Sequence, residues 1–325
     1  MTAADPPTLP PLEVDLSLPD APARAGDASS VLGLIEAMAH RLEAAGVAFG
    51  HGTTNAHDEA AWLTLWSLGL PVDALDEVVD APVTPERADQ VRGVIEQRIR
   101  TRLPAAYITR EAWLQGVPFY VDERAIVPRS FIAELLGDAD LGQQLDAWLS
   151  EDTRRVLDLC TGNGSLAVLA AMAFPEVKVD AADISTAALD VARINVQRHG
   201  LGERIELIVS DGLSQLPNGY DLILCNPPYV NAASMASLPQ EYRAEPELAL
   251  AGGLDGMDFI RRLLRDAPAR MTPQAVLLLE IGNERSHFEA AFPRLEALWL
   301  ETSAGSDQVL LLTRDALLRD LPPQA

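Results

Sequence analysis

The chain is predicted to be an α/β protein with a largely parallel sheet covered by helices on both faces, preceded by a small helical region. Three observations predict this. From residue 154 onward, short apolar runs alternate with stretches of helical spacing. The run 220–225 is a buried strand by composition and stops at Asn226-Pro227-Pro228-Tyr229, where two consecutive prolines force a rigid turn at a crevice. Residues 30–103 carry helical periodicity with no strand pattern. With 325 residues, 48% of them hydrophobic, a sizeable core is available.

The elements follow in order. Residues 1–27 hold Pro6, Pro7, Pro10, Pro11, Pro19 and Pro22 among Ala and Asp, the composition of a flexible leader. A helical domain is expected over 28–103. Its first helix lines up Val31, Leu34, Ile35, Met38 and Leu42, capped by Ser29 or Ser30. A glycine-bearing loop spans 49–58. A second helix begins near Asn55 with Ala60, Leu63, Leu65 and Trp66, and Thr84-Pro85-Glu86 opens a third to residue 101. His51 and His57 flank the loop and are expected to cap or pack. Residues 104–128 form a linker in which Tyr107, Ile108, Trp113, Leu114, Val117, Phe119, Tyr120 and Val121 surround Gly116 and Pro118, predicting a hairpin. A domain over 129–325 opens with a helix capped by Ser130 and running to about residue 149. Strands are expected at 154–159, 177–183, 204–210, 220–225 and 275–281, with helices at 165–174, 186–199 and 255–270. The stretches 295–301 and 308–313 form a closing antiparallel pair.

Charge and composition exclude several classes. The formal net charge is −23, from 48 acidic against 25 basic residues. That opposes tight, non-specific binding to a phosphate backbone and suits a basic protein partner, so no direct nucleic-acid binding is expected. No apolar stretch reaches the roughly 18 residues of a membrane span. Cys160 and Cys225 make neither a disulfide framework nor a metal-ligand spacing, and are expected to be small buried residues near the site. A cytoplasmic protein with no metal is the expectation.

The loop Asp158-Leu159-Cys160-Thr161-Gly162-Asn163-Gly164 joins the first parallel strand to its helix. Glycines there let the backbone approach a ligand, and the helix start presents free N–H groups. Asp183 ends the next strand, where a carboxylate can accept both hydroxyls of a ribose, and Asp211 follows the third, within reach of an adenine amino group. The glycine spacing also fits a nicotinamide dinucleotide. Asp158 discriminates: it would repel a pyrophosphate and attract a ligand carrying ammonium and sulfonium charges. S-adenosyl-L-methionine is such a ligand, so Asp158, Cys160, Thr161, Gly162, Gly164, Asp183, Asp211 and Asn226 are the expected cofactor residues.

Asn226, Pro227, Pro228 and Tyr229 are the expected catalytic element. An amide or exocyclic amine shares its lone pair with a π system and attacks a methyl sulfonium poorly. The Asn226 side-chain oxygen and the Pro227 carbonyl would accept its two hydrogens, favouring a more tetrahedral nitrogen, while Tyr229 packs over the planar group.

On Asp-Leu-Cys-Thr-Gly-Asn-Gly at 158–164, Asn-Pro-Pro-Tyr at 226–229, Glu-Pro-Glu-Leu-Ala-Leu-Ala-Gly-Gly-Leu-Asp-Gly at 245–256 and Leu-Leu-Leu-Glu-Ile-Gly at 277–282, the chain resembles the HemK-like protein N(5)-glutamine methyltransferase family. Phe49-Gly-His-Gly-Thr-Thr-Asn-Ala, Val127-Pro-Arg-Ser and Leu238-Pro-Gln-Glu-Tyr-Arg-Ala-Glu-Pro246 resemble its PrmB-type branch, which acts on the large-subunit ribosomal protein uL3. The resemblance implies a class I, Rossmann-like methyltransferase domain with a seven-stranded sheet, an N-terminal helical domain that recognises the protein, and a glutamine of uL3 as acceptor. Alternatives are a glutamine methyltransferase of peptide release factors, an exocyclic-amine methyltransferase acting on nucleic acid, and a non-catalytic assembly factor.

Overall fold

A computed structural model describes residues 30–321, so the leader expected over 1–27 lies outside the described residues. The chain divides into two compact units. The first holds the described residues up to Phe49 together with Thr53–Ala105; the second holds Gly50–Gly52 and everything from Ala106 onward.

The first unit is helical. Helix Val31–Ala44 starts where Ser30 Oγ accepts from Gly33 N, helix Ala56–Ser67 where Asn55 accepts from Asp58 N, and helix Pro85–Thr101 where Thr84 accepts from Arg87 N. A short turn of helix, Leu75–Val78, was not foreseen. Leu34, Ile35, Leu42, Leu63, Leu65, Val91 and Ile95 close the core. Arg98 is buried within it and donates to Glu59 at 2.8 Å and to the Ala48 carbonyl at 2.8 Å.

Most of helix Ala105–Thr109 belongs to the second unit, followed by the hairpin β1 (Glu111–Leu114) and β2 (Val117–Tyr120). Tyr107 and Ile108, expected in the hairpin, belong to that helix. Gln115 and Gly116 make its two-residue turn at φ 50° and 71°, the twist that joins strands tightly. Seven further strands form one sheet: β3 (Arg155–Leu159), β4 (Lys178–Asp183), β5 (Ile205–Val209), β6 (Tyr220–Cys225), β7 (Met271–Glu280), β8 (Leu298–Thr302) and β9 (Gly305–Thr313). Their order is β5-β4-β3-β6-β7-β9-β8, parallel from β5 to β7, with β9 antiparallel between β7 and β8. Alternate residues feed two cores, Val156, Leu222 and Leu224 on one face, Leu157, Ile223 and Cys225 on the other. Both faces are therefore buried, as the continuous apolar runs predict.

This order positions the site. The chain winds outward from β3 through β4 to β5, then returns to β6 on the other flank of β3. At such a reversal the carboxyl ends of adjacent strands open a crevice. Leu159 pairs with Cys225, so the glycine loop and Asn226 leave the sheet side by side.

The single helix expected from Ser130 to about residue 149 is replaced by short segments, Ile132–Gly137, Ala139–Gly142 and Gln143–Leu145. Asp138 breaks it at extended φ −100° and ψ 123°, its side chain accepting from Asp140 N and Leu141 N. The helix expected over 255–270 is shorter, Asp258–Asp266, followed by one tight turn.

Asn195, fully buried in helix Thr186–Arg198, links the hairpin to the glycine loop. Its Oδ1 accepts from Tyr120 N at 2.7 Å, and its Nδ2 donates to the carbonyls of Tyr120 at 2.9 Å and Asn163 at 2.8 Å. Asn195→Ala strands those groups. It should cost about 2–3 kcal/mol of stability, read by urea unfolding; a loss under about 0.5 kcal/mol would mean water replaces the amide.

Candidate active site

A cleft of about 720 Å³ opens at the β3–β6 reversal, within the range of small-ligand sites. One wall carries residues 160–162, Asp183, Asp211 and Phe259; the other carries residues 226–230, Leu238, Tyr242 and Leu248.

The first wall is a loop coiled through left-handed conformations, with Cys160 at φ 61°, Gly162 at 55° and Gly164 at 82°. A Cβ on Gly164 would sit 3.1 Å from Ala192 Cβ, so the helix beginning at Ser165 packs tightly there. The loop is pinned by Thr161 N donating to the Ala182 carbonyl at 3.0 Å and Gly162 N to Asp183 Oδ2 at 2.9 Å. Asp183 Oδ1 accepts from Ser185 N at 2.8 Å, and burial raises its carboxyl above the ordinary range.

Three expected residues sit differently. Gly164 is not among the residues that line the cleft; it lies against Ala192, where it lets the helix pack behind the loop. Asp158 does not line the cleft. Its carboxylate lies buried beneath the loop, with Oδ2 accepting from the Thr161 hydroxyl and from Ala167 N at 2.9 Å. Its Oδ1 has no hydrogen-bond partner among the described residues, and burial pushes the carboxyl up to about 7. The side chain therefore shapes the loop from behind. Asp211 lines the cleft but is exposed and paired with Arg262 at 3.2 Å, whose guanidinium lies 5.5 Å over the Phe259 ring. Cys225 is buried and burial pushes its thiol up, leaving a packing residue.

The second wall is held by missing atoms. Asn226, Pro227, Pro228 and Tyr229 all line the cleft, and the Asn226 side chain has no hydrogen-bond partner among the described residues. A Cβ on Gly252 would lie 2.7 Å from Tyr229 Cα, one on Gly256 would overlap the Tyr229 carbonyl, and one on Gly282 would lie 2.6 Å from the Tyr229 ring. Val230 N donates to the Leu250 carbonyl at 2.9 Å and Gly252 N to the Val230 carbonyl at 2.9 Å, stitching segment 250–252 onto the turn.

Two buried acids tie the surroundings together. Glu245 accepts from Val127 N at 2.9 Å and from both Arg129 Nη atoms at 2.6 Å. Burial would raise its carboxyl, but the Arg129 guanidinium outweighs that and holds it at about 2. Glu280, ending β7, accepts from Ser130 Oγ at 2.6 Å and Phe131 N at 2.9 Å, and burial pushes it up to about 7. Glu280, with Ser130, supplies the helix start predicted for Ser130 alone. Sequence reasoning assigned no role to Glu245, Glu280, Phe259 or the three glycines. The signal for Glu280 was an acid closing an otherwise apolar strand.

The methyltransferase small domain family matches residues 138–243. The ribosomal protein uL3 glutamine methyltransferase of Bordetella pertussis is 54% identical over 287 residues, covering 87% of this chain and 95% of that one. The chain belongs to the ribosomal protein uL3 glutamine methyltransferase family. The member from Burkholderia pseudomallei is 52% identical over 291 residues, with 87% and 94% covered, and that from Neisseria gonorrhoeae 50% over 280 residues, with 86% and 92% covered. The sheet is accordingly that of a class I methyltransferase, and the family's cofactor is S-adenosyl-L-methionine. The residues present fit it: a bare glycine backbone, an acid at the end of β4 and a cleft large enough for a nucleoside beside an acceptor side chain. Among the described residues no helix is long and apolar enough to cross a membrane.

Gly282→Ala should displace the Tyr229 ring. We expect methyl transfer to fall at least about 100-fold, as for loss of a positioned group, with cofactor affinity retained by calorimetry. Unchanged turnover would mean the ring position is immaterial.

Folding lifts the Glu280 carboxyl above its ordinary value of about 4.3. The native state then binds the extra proton, so stability is full below that value and drains as pH rises through about 7. Glu280→Gln keeps an acceptor oxygen but cannot ionise. Its melting temperature should gain on the parent between about pH 5 and pH 8; a constant difference would show that the carboxyl is not held neutral.

Proposed function

We propose that this enzyme, in the cytoplasm, transfers a methyl group from S-adenosyl-L-methionine to the N(5) amide nitrogen of a glutamine in ribosomal protein uL3. The observation that carries the reading is the pairing of Leu159 with Cys225, which sets the glycine loop and the Asn-Pro-Pro-Tyr turn at one mouth. Family membership supplies the acceptor class, and the charge of −23 suits a basic ribosomal protein.

In this reading Cys160, Thr161, Gly162 and Asp183 hold the cofactor, with Asp211 and Phe259 at its adenine end, and Asp158 and Gly164 brace the loop from behind. When bound, S-adenosyl-L-methionine would supply a methyl carbon on a sulfonium centre; the C–N bond forms as the C–S bond breaks to leave the thioether, and one N–H proton passes to solvent. The chain's own part is to present that nitrogen. Asn226 Oδ1 and the Pro227 carbonyl accept its two hydrogens, weakening conjugation with the neighbouring carbonyl and turning the lone pair outward. Pro228 makes the turn rigid, so neither acceptor has to reorganise. Tyr229, clamped by Gly252, Gly256 and Gly282, covers the amide plane and keeps water from it. The helical domain expected over 28–103 recognises the protein.

The test combines purified enzyme, labelled donor and free uL3, with mass spectrometry locating a single added CH2 on glutamine. Label on release factors or nucleic acid instead would overturn the acceptor. Asn226→Ala should cut turnover at least about 100-fold with near-native cofactor affinity, whereas Asp183→Ala should mainly weaken cofactor binding. A fully active Asn226→Ala would sink the mechanism.

A further inference from the structure

His51 was expected to cap or pack, and the structure gives that packing a specific target. Gly50–Gly52 belongs to the second unit, with Gly50 at φ 123° and Gly52 at φ 105°. His51 is 1% exposed. Its ring centre lies 4.2 Å from that of Tyr242 at 49°, and its Nε2 lies 3.5 Å from Glu245 Oε2. Among the described residues neither ring nitrogen makes a hydrogen bond, and Glu245 is a charged neighbour just beyond good hydrogen-bond geometry. An imidazole buried this way is costlier than an aliphatic side chain of the same volume, so filling space does not account for it. A histidine adds two things a leucine lacks: a flat face for Tyr242 and a polar edge for Glu245.

Tyr242 is held from other directions too. A Cβ on Gly50 would overlap its hydroxyl, so that corner is reserved for the ring's tip. The Arg129 guanidinium stands 5.5 Å from the ring centre while gripping Glu245. Yet Tyr242 is only half-buried and lines the cleft beside Leu238, Pro246 and Leu248. All four residues follow the Asn-Pro-Pro-Tyr turn, in the stretch stitched to it at Val230 and Gly252. The opposite wall comes from the ends of β3, β4 and β5. An aromatic ring clamped this firmly on the turn's side of the cleft is preorganised for whatever follows the glutamine in.

We infer that Tyr242 contacts the acceptor polypeptide flanking the modified glutamine, and that His51 is the positioning residue that fixes Tyr242 for that contact. The inference rests on the reading of the cleft as the acceptor site for a uL3 glutamine. His51 touches neither reactant. It acts through the ring it stacks on, with Glu245 and Arg129 setting the other edge.

The test uses the full chain with free uL3, measuring initial rates across acceptor concentration and cofactor Kd by calorimetry. Tyr242→Ala and His51→Ala should each raise KM for uL3 about tenfold, with kcat within about twofold and cofactor Kd unchanged. Tyr242→Phe, which keeps the ring, should recover most of the KM lost in Tyr242→Ala. The double variant should be no worse than Tyr242→Ala alone, because His51 acts through that ring; a generally loosened fold would instead lower kcat and cofactor affinity together. An unchanged KM in Tyr242→Ala, or an effect of His51→Ala that adds fully to it, overturns the inference. If His51→Ala fails to fold, Tyr242→Ala decides the contact and His51→Phe, which keeps a ring beside Tyr242, decides the positioning: a KM near the parent's supports it and a rise of about tenfold overturns it. A parent that methylates no glutamine of uL3 sinks the acceptor reading and this inference with it, whereas an active parent matched by Tyr242→Ala sinks this inference only.

Discussion

One parallel pairing governs the rest of the molecule: β3 against β6, with Leu159 opposite Cys225. Each strand leaves the sheet straight into a functional loop, so their register sets the separation of cofactor and acceptor elements. A slip of one residue would move one loop by about 3.3 Å and turn every side chain to the other face. Two apolar cores forbid it, because Leu157, Leu159, Ile223 and Cys225 pack on one side and Val156, Leu222 and Leu224 on the other. Catalytic distance is thereby enforced by hydrophobic burial.

Acids inside this protein act as pins. Asp158, Glu245 and Glu280 are all buried, and each collects backbone amides or a hydroxyl from loops around the cleft. Their environments differ sharply. Glu245 has a guanidinium within 2.6 Å and stays ionised, while Asp158 and Glu280 lack a directly bonded cation and are pushed toward neutrality. The glycines do the complementary work. At 252, 256 and 282 they supply absent atoms, letting Tyr229 seat against backbone.

The legible parts of the sequence were those with local cause. Alternation of apolar runs marked the sheet, Thr84-Pro85 and Asn55 marked helix starts, and the glycine loop and proline turn marked two sides of one cleft. The strand order, with β9 between β7 and β8, depends on long-range pairing. Asp158 could be placed at a strand end, but which way it faced depends on Thr161 and Ala167 N closing over it. Asp211 showed its position and hid its partner Arg262, 51 residues later. The helix expected to residue 149 failed because Asp138 offered its side chain to nearby amides, competing with the helical ladder. His51 carried no local sign of Tyr242 or Glu245, since nearly two hundred residues separate them in the chain.

The antiparallel insertion of β9 has a practical side. Because β9 runs against β7, Thr313 pairs with Val276, midway along that strand, and the next residue, Arg314, donates to the carbonyl of Pro268, which precedes the strand, at 3.0 Å. The polypeptide thus quits the sheet at the pole remote from the catalytic mouth. An anchor or dye attached beyond helix Arg314–Asp320 would join the second unit at the end of its sheet opposite the cleft, sparing the residues that line it in single-molecule or surface-bound assays.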